Sequence, residues 1–157
     1  MFADCKDPLR KEYNIRSNGI ESSLKRNRGI LAVPMPAVGE AFCKIKDKCG
    51  ERAVEVLEEI NRLMDKVITI RYIRDGQATF DIAKKISEYR EDDRDRISPM
   101  DALIVAAATT DPDCNVFFTT DSTLLSDTKI TEIISGYRDA EKYKPLCIRD
   151  IAELIKA

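Results

Sequence analysis

Carboxylates at the starts of helical patterns and at the ends of strand-like runs are the groups of this chain that could do chemistry. Asp101 opens an apolar run rich in alanine, and Asp121 follows the apolar run 116–119 after one threonine. Glu40 lies beside a helical apolar stripe, and Asp4 lies at the start of the sequence. Four carboxylates gathered in one place repel one another unless a cation lies between them. Because these ligands are all oxygens, the pattern predicts Mg²⁺ or Mn²⁺ bound by Asp4, Glu40, Asp101 and Asp121.

Divalent ions in such a site predict hydrolysis of a phosphodiester bond. One or two ions, about 3.5 to 4 Å apart when paired, activate a water molecule and stabilise the charge that develops during in-line attack. The chain contains no histidine. That absence excludes an imidazole base and leaves a zinc site with thiolates alone.

Each acid also has an ordinary structural explanation. Ser98 and Pro99 are typical of an N-cap and a first helical position, so Asp101 falls third in the helix, where a capping-box carboxylate commonly sits. Asp121 precedes a second helical start and is also a typical N-cap. Glu40 is consistent with a boundary residue of its helix. Taken singly, each acid is better explained by local structure than by catalysis, and only their joint placement favours the metal site.

The joint placement follows from the predicted fold. Four strand-like runs alternate with longer helical patterns and predict an α/β domain with a mainly parallel sheet. The runs are 30–33, 67–70, 116–119 and 146–148. In an open parallel sheet, ligands bind outside the carboxyl ends of the strands. Each of the four acids follows a strand or opens the element after one, so we expect them to meet at that edge.

The helical patterns complete the predicted domain. An apolar stripe from Ala37 to Ile45 predicts a helix that ends at Gly50, and a further helix repeats the spacing from Ala53. After the Asp75-Gly76 turn signal, the spacing predicts another helix through residue 89. We expect two short helices or one broken helix over 8–28, and a solvated helix end or loop over 88–96. With 157 residues, 43% of them hydrophobic, the chain is expected to form one domain over 1–157.

Charge and cysteine content narrow the possible partners. The chain has 26 Lys plus Arg against 28 Asp plus Glu, a net charge of −2, so a nucleic acid would need a local basic patch or a bound cation. The five cysteines are scattered without a C-x-x-C spacing, and we expect them to be small buried hydrophobes, with Cys147 the clearest example. Free thiols predict a reducing cytoplasm. No apolar run reaches about 18 residues, so we expect neither a membrane span nor a signal peptide.

Four segments together resemble a PIN domain. They are 34–40, 101–108, 116–121 and 144–150, and the resemblance extends over nearly the whole chain. It implies a three-layer α/β/α sandwich around a parallel sheet and a metal-dependent ribonuclease. Single-domain prokaryotic members of this family are often toxins that an antitoxin neutralises. The resemblance therefore also implies an RNA substrate, a possible antitoxin partner and a homodimer.

The resemblance assigns roles to individual residues. It makes Glu40, Asp101 and Asp121 metal ligands, and it makes Thr119 or Thr120 a hydroxyl that positions a carboxylate or a phosphate. The best basic cluster for RNA contact begins with Arg10 and Lys11; its other members are Arg16 and residues 25–28. A solvated helix face explains that cluster equally well.

The first and last acids of the family's pattern are irregular here. Asp4 is the candidate for the first acid, but Lys6 stands where a small polar residue is expected. Alternatively, Asp7 takes the role of the first acid, or no residue of the chain does. Thr123 occupies the position of a further acid two residues past Asp121. These departures predict a weaker metal site or a catalytically poor protein.

Two rival functions follow. The first is a catalytically weak or inactive PIN-like module that binds RNA or a protein partner. The second is a phospho-accepting receiver domain, another α/β fold with acids at one edge. In receiver domains a Lys-Pro pair follows the last strand, whereas Lys144-Pro145 precedes the last strand-like run. This order disfavours the receiver domain.

Overall fold

The structure is a computed structural model, and it describes Gly19, Ser22, 31–55, Glu58, Asn61, 68–88 and 97–156. Apart from Gly19 and Ser22, the segment 8–28 lies outside these residues, and so does 89–96. The elements in chain order are β1 (Leu31–Pro34), α1 (Met35–Cys49), a 3₁₀ turn (Gly50–Arg52), β2 (Ile68–Arg71), α2 (Gly76–Glu88), α3 (Pro99–Thr110), β3 (Val116–Thr119), α4 (Ser122–Ser126), α5 (Thr128–Ala140), β4 (Cys147–Asp150) and α6 (Ile151–Lys156).

The strands confirm an α/β fold. Each predicted strand-like run becomes a strand that begins at the predicted residue or one residue later. β3 pairs with β4 in parallel, in a register that runs from Val116 opposite Cys147 to Thr119 opposite Asp150. β1 pairs with β2, so the described strands form two sheets of two strands each. The three-layer sandwich around one parallel sheet stays a prediction.

The described residues belong to two compact units. The first unit contains 31–33, the described residues of 37–71, and 152–156, and the second contains 34–36 and the described residues of 72–151. Each unit is considered by itself below. No helix in the described ranges is long and apolar enough to cross a membrane.

Helix α1, whose residues 37–49 belong to the first unit, ends where its sequence predicts. Lys46 and Lys48 lie in its last turn, where cations interact favourably with the carboxyl end of the helix dipole. Gly50 follows with a φ of 52°, a left-handed conformation in which glycine avoids the Cβ clash of other residues. Ile45 from the predicted apolar stripe is buried, whereas Phe42 is about half exposed at 48%.

The core of the second unit is built around α3. Ala102, Val105 and Ala106 in this helix are fully buried at 0% exposure. Small alanine side chains let neighbouring helices approach closely, and α2 and α5 pack on α3 with their own apolar stripes. The buried cluster contains Ile82, Ala83, Ile86, Ile97, Ala102, Val105, Ala106, Leu124, Ile130 and Ile134. The helical spacing of Ile82, Ala83 and Ile86 is therefore confirmed as a core-facing pattern.

The prediction of buried cysteines is wrong for the four that the structure describes. Cys147 and Cys43 are exposed, and Cys49 and Cys114 are partly exposed. Cys5 lies outside the described residues. Burial alternates along β4, and Ile148 is turned further from solvent than Cys147. A strand with one covered face exposes every second side chain, and Cys147 falls on the outward positions.

A buried pair of threonine hydroxyls joins α2 to α3. Thr79 is 1% exposed and Thr110 is 3% exposed, and their Oγ1 atoms lie 2.8 Å apart. Thr79 Oγ1 uses its single proton to donate to the Asp75 carbonyl at 2.6 Å, so Thr110 Oγ1 is the donor within the pair, and it also lies 3.1 Å from the Ala106 carbonyl oxygen. The pair connects the first turn of α2 to the last turn of α3, so the two helices pack side by side in opposite directions.

Replacing Thr79 and Thr110 with valine is expected to show that their two hydroxyls stabilise the fold jointly. Each single change, Thr79→Val or Thr110→Val, removes one hydroxyl from a buried pair and should cost about 1–2 kcal/mol of unfolding free energy. The double variant should cost less than the sum, with a coupling of about 1 kcal/mol. Urea unfolding of the four proteins measures this cycle. Strictly additive losses would show that the two hydroxyls do not stabilise each other.

Arg138 is a fully buried cation near the end of α5. Its Nη1 atom donates to the carbonyls of Thr109, at 3.0 Å, and Asp111, at 3.1 Å. Its Nε atom donates to the Lys144 carbonyl, and its guanidinium lies 5.4 Å from the centre of the Tyr143 ring. Arg138 therefore joins the carboxyl end of α3, the end of α5 and the segment that leads into β4.

Candidate functional site

Asp101 lies in the first turn of α3, and its side chain bonds to Ser98. Ser98 is the N-cap, and its Oγ accepts a hydrogen bond from the Asp101 backbone N–H at 3.1 Å. The same Oγ donates to Asp101 Oδ2 at 2.6 Å. The predicted cap and first helical residue, Ser98 and Pro99, are confirmed. The Asp101 side chain is partly exposed, and the bond to Ser98 occupies one of its two carboxylate oxygens.

Asp121 lies just beyond β3 and caps α4. Its Oδ1 atom accepts a hydrogen bond from the Thr123 backbone N–H at 2.7 Å. The Asp121 N–H donates to Thr119 Oγ1 at 3.0 Å, so Thr119 holds the acid through its main chain. The N-cap role predicted for Asp121 is confirmed. Thr120, the other hydroxyl candidate, is exposed.

The remaining candidates lie in the first unit or outside the described residues. Glu40 is a partly buried residue of α1, and its Oε1 atom forms an ion pair with Lys44 Nζ one turn later. Asp4, Arg10 and Lys11 lie outside the described residues. Each described candidate acid therefore has a local structural partner.

From the strand and helix directions we expect Asp101 and Asp121 to lie at the same end of the second unit. Arg138 brings the carboxyl end of α3 next to the segment that leads into β4, through Thr109 and Lys144. Asp101 precedes Thr109 on the same helix and is about 12 Å from it along the axis by the α-helical rise. Because β3 runs parallel to β4, we expect the carboxyl end of β3, which Asp121 follows, to lie away from Arg138 as well. We name this expected position the acid end.

Comparisons with known proteins do not decide the family. No protein-family description matches the chain, no curated protein matches it, and no solved structure matches it. The likeness to PIN domains therefore rests on the residues of the chain, and membership of that family stays a prediction.

The donor chemistry of the acid end fits a hard cation only in part. Asp101 and Asp121 offer carboxylate oxygens, which Mg²⁺ and Mn²⁺ prefer. One oxygen of each carboxylate accepts a local hydrogen bond, from the Ser98 hydroxyl and from the Thr123 N–H respectively. Within the described ranges, however, no group of three or more Asp, Glu, Cys or His side chains could hold a metal ion. Asp101 and Asp121 thus supply carboxylates of the right type, and the two alone do not make a complete metal site.

Two residues near these acids were not singled out as site residues by their sequence pattern. The Ser98 hydroxyl binds the Asp101 carboxylate directly, whereas the Ser-x-x-Asp spacing alone indicates only a helix start. Asp150 ends β4 opposite Thr119, and Asp121 follows Thr119 after one residue. The last-strand position of Asp150 was visible in the sequence, but the parallel register that brings it beside Thr119 was not.

Proposed function

We propose that this chain is a metal-dependent endoribonuclease of the PIN type that hydrolyses RNA phosphodiester bonds. The observation that supports the proposal is the element that carries each of two acids, Asp101 and Asp121, in the second unit. Asp101 lies in the first turn of the buried helix α3. Asp121 follows the parallel strand β3 after one residue and caps the next helix. Carboxylates beyond the carboxyl ends of parallel strands lie where α/β proteins bind ligands.

In this proposal Asp4, Glu40, Asp101 and Asp121 hold Mg²⁺ or Mn²⁺. The cation, when bound, supplies Lewis-acid stabilisation of the phosphodiester charge and activates the attacking water. Asp101 and Asp121 would hold it with the carboxylate oxygens that do not bond to Ser98 and Thr123. Thr119 keeps Asp121 in place through the backbone, and the exposed Thr120 hydroxyl is available to donate to a phosphate oxygen. Arg10 and Lys11 contribute phosphate contacts that position RNA without reading its sequence.

Electrostatics make the cation a requirement for substrate binding as well. The chain carries a net charge of −2, and acids at the acid end repel an anionic phosphodiester. RNA should therefore approach this end only when a divalent ion offsets the carboxylate charge. Binding of RNA near Asp101 and Asp121 is thus expected to need the same ion as cleavage.

The cellular role in this proposal is that of a toxin. The same family resemblance supports a cytoplasmic protein that acts as a homodimer and is neutralised by an antitoxin. Cleavage of cellular RNA by the free protein and its suppression by a bound partner would follow from the same active site.

A direct experiment tests the activity. The purified protein is titrated with Mn²⁺ by calorimetry, and cleavage of a mixed RNA pool is followed with Mn²⁺, with Mg²⁺ and with excess EDTA. We expect heat of binding and cleavage that EDTA abolishes. A protein that binds neither ion and leaves the RNA intact in all three conditions would contradict the proposal.

Asp121 and Asp127 provide a matched pair that separates capping from metal binding. Asp127 caps α5 by accepting from the backbone N–H groups of Lys129 and Ile130. Serine is about as good an N-cap as aspartate, so Asp121→Ser and Asp127→Ser should each change the unfolding free energy by less than about 0.5 kcal/mol. Only Asp121→Ser removes a proposed ligand, and only it should weaken Mn²⁺ binding in calorimetry. Equal Mn²⁺ affinities in the two variants would leave Asp121 as a helix cap alone.

A second candidate function is a catalytically weak or inactive PIN-like module that binds RNA or a protein partner. It is favoured by the ion pair of Glu40 with Lys44 and by the lack of a three-residue metal group within the described ranges. Gel-shift titrations of labelled RNA, with and without Mn²⁺, test it. RNA that is bound intact, with an affinity that falls steeply as salt rises, would support the module. EDTA-sensitive cleavage by the clean protein would exclude it.

A further inference from the structure

We draw no further inference here: the strongest candidate, the exposed surface patch that Ala41 and Phe42 form on the apolar stripe of helix α1, carries none, because nothing in the described part of the chain shows what covers it.

Discussion

Asp101→Asn is expected to slow RNA cleavage at least about a thousandfold while the protein stays folded. Asparagine has the shape of aspartate, and its side-chain oxygen still accepts the hydrogen bond that Ser98 donates. The substitution removes the negative charge that would bind a divalent cation. Loss of several kcal/mol of transition-state stabilisation is typical of a disrupted metal site, and every 1.36 kcal/mol corresponds to a tenfold change in rate.

Initial cleavage rates in Mn²⁺ and calorimetric Mn²⁺ affinity measure this effect together. Asp139→Asn is the matched control, since Asp139 is an exposed carboxylate near the end of α5, close to Arg138 and away from the acid end. We expect this control to cleave RNA at the wild-type rate. Full activity of Asp101→Asn would remove Asp101 from the catalytic site and would leave it as a residue of the first turn of α3.

Arg138→Met is expected to lower the free energy of unfolding by about 3–5 kcal/mol, because three backbone carbonyls each lose a hydrogen bond and a buried polar group left unsatisfied costs about 1–3 kcal/mol. Methionine fills part of the space but cannot donate to the carbonyls of Thr109, Asp111 and Lys144, which Arg138 now binds. One buried polar atom of the wild-type side chain reduces this loss of unfolding free energy. Arg138 Nη2 is buried, and it finds no hydrogen-bond partner within the described part of the chain, so the substitution also removes one unsatisfied donor.

Arg74→Met is the control for Arg138→Met, because it makes the same substitution at an exposed position of the same unit. Arg74 pairs with Asp113 at 2.9 Å, and their side chains are 52% and 56% exposed. Exposed ion pairs contribute about 0–1 kcal/mol, so this variant should lose less than about 1 kcal/mol. Urea unfolding followed by circular dichroism gives both values. Equal losses in the two variants would contradict the role assigned to Arg138.

The surroundings of Arg138 also affect a neighbouring phenol. Burial is the largest cause that raises the pKa of Tyr137 above its ordinary value, and Glu141, Tyr143 and Asp75 raise it further, whereas Arg138 lowers it. Tyr137 and Tyr143 contact each other edge to face with their ring centres 6.2 Å apart. Tyr137 therefore stays protonated at neutral pH, and its neutral phenol does not compensate the charge of Arg138.

Local interactions explain why much of the secondary structure could be predicted. The N-caps Ser98 and Asp121 form hydrogen bonds with residues two or three positions away, and the left-handed Gly50 ends α1 within its own neighbourhood. Such contacts depend on residue type and spacing and little on the rest of the fold. The helical period that buries Ile82 and Ile86 is similarly short in range.

The solvent exposure of individual side chains on a helix or strand was harder to predict from the sequence. Cys147 lies in an apolar run, yet it falls on the exposed side of β4, because a strand's two faces differ only when something covers one of them. Phe42 belongs to the apolar stripe of α1 but remains half exposed. A pattern predicts which residues share a face and leaves open how completely that face is covered.

The sequence by itself determined the alternation of helices and strands, the caps at Ser98 and Asp121, and the presence of acids at the ends of these elements. Only the tertiary structure decided that Arg138, a charged residue of a kind usually exposed, is buried among carbonyls 29 and 27 residues away. It likewise decided that Asp150 lies opposite Thr119. The physical reason is that caps and periodic stripes act within one or two turns, whereas burial of a cation and parallel register depend on segments brought together by packing.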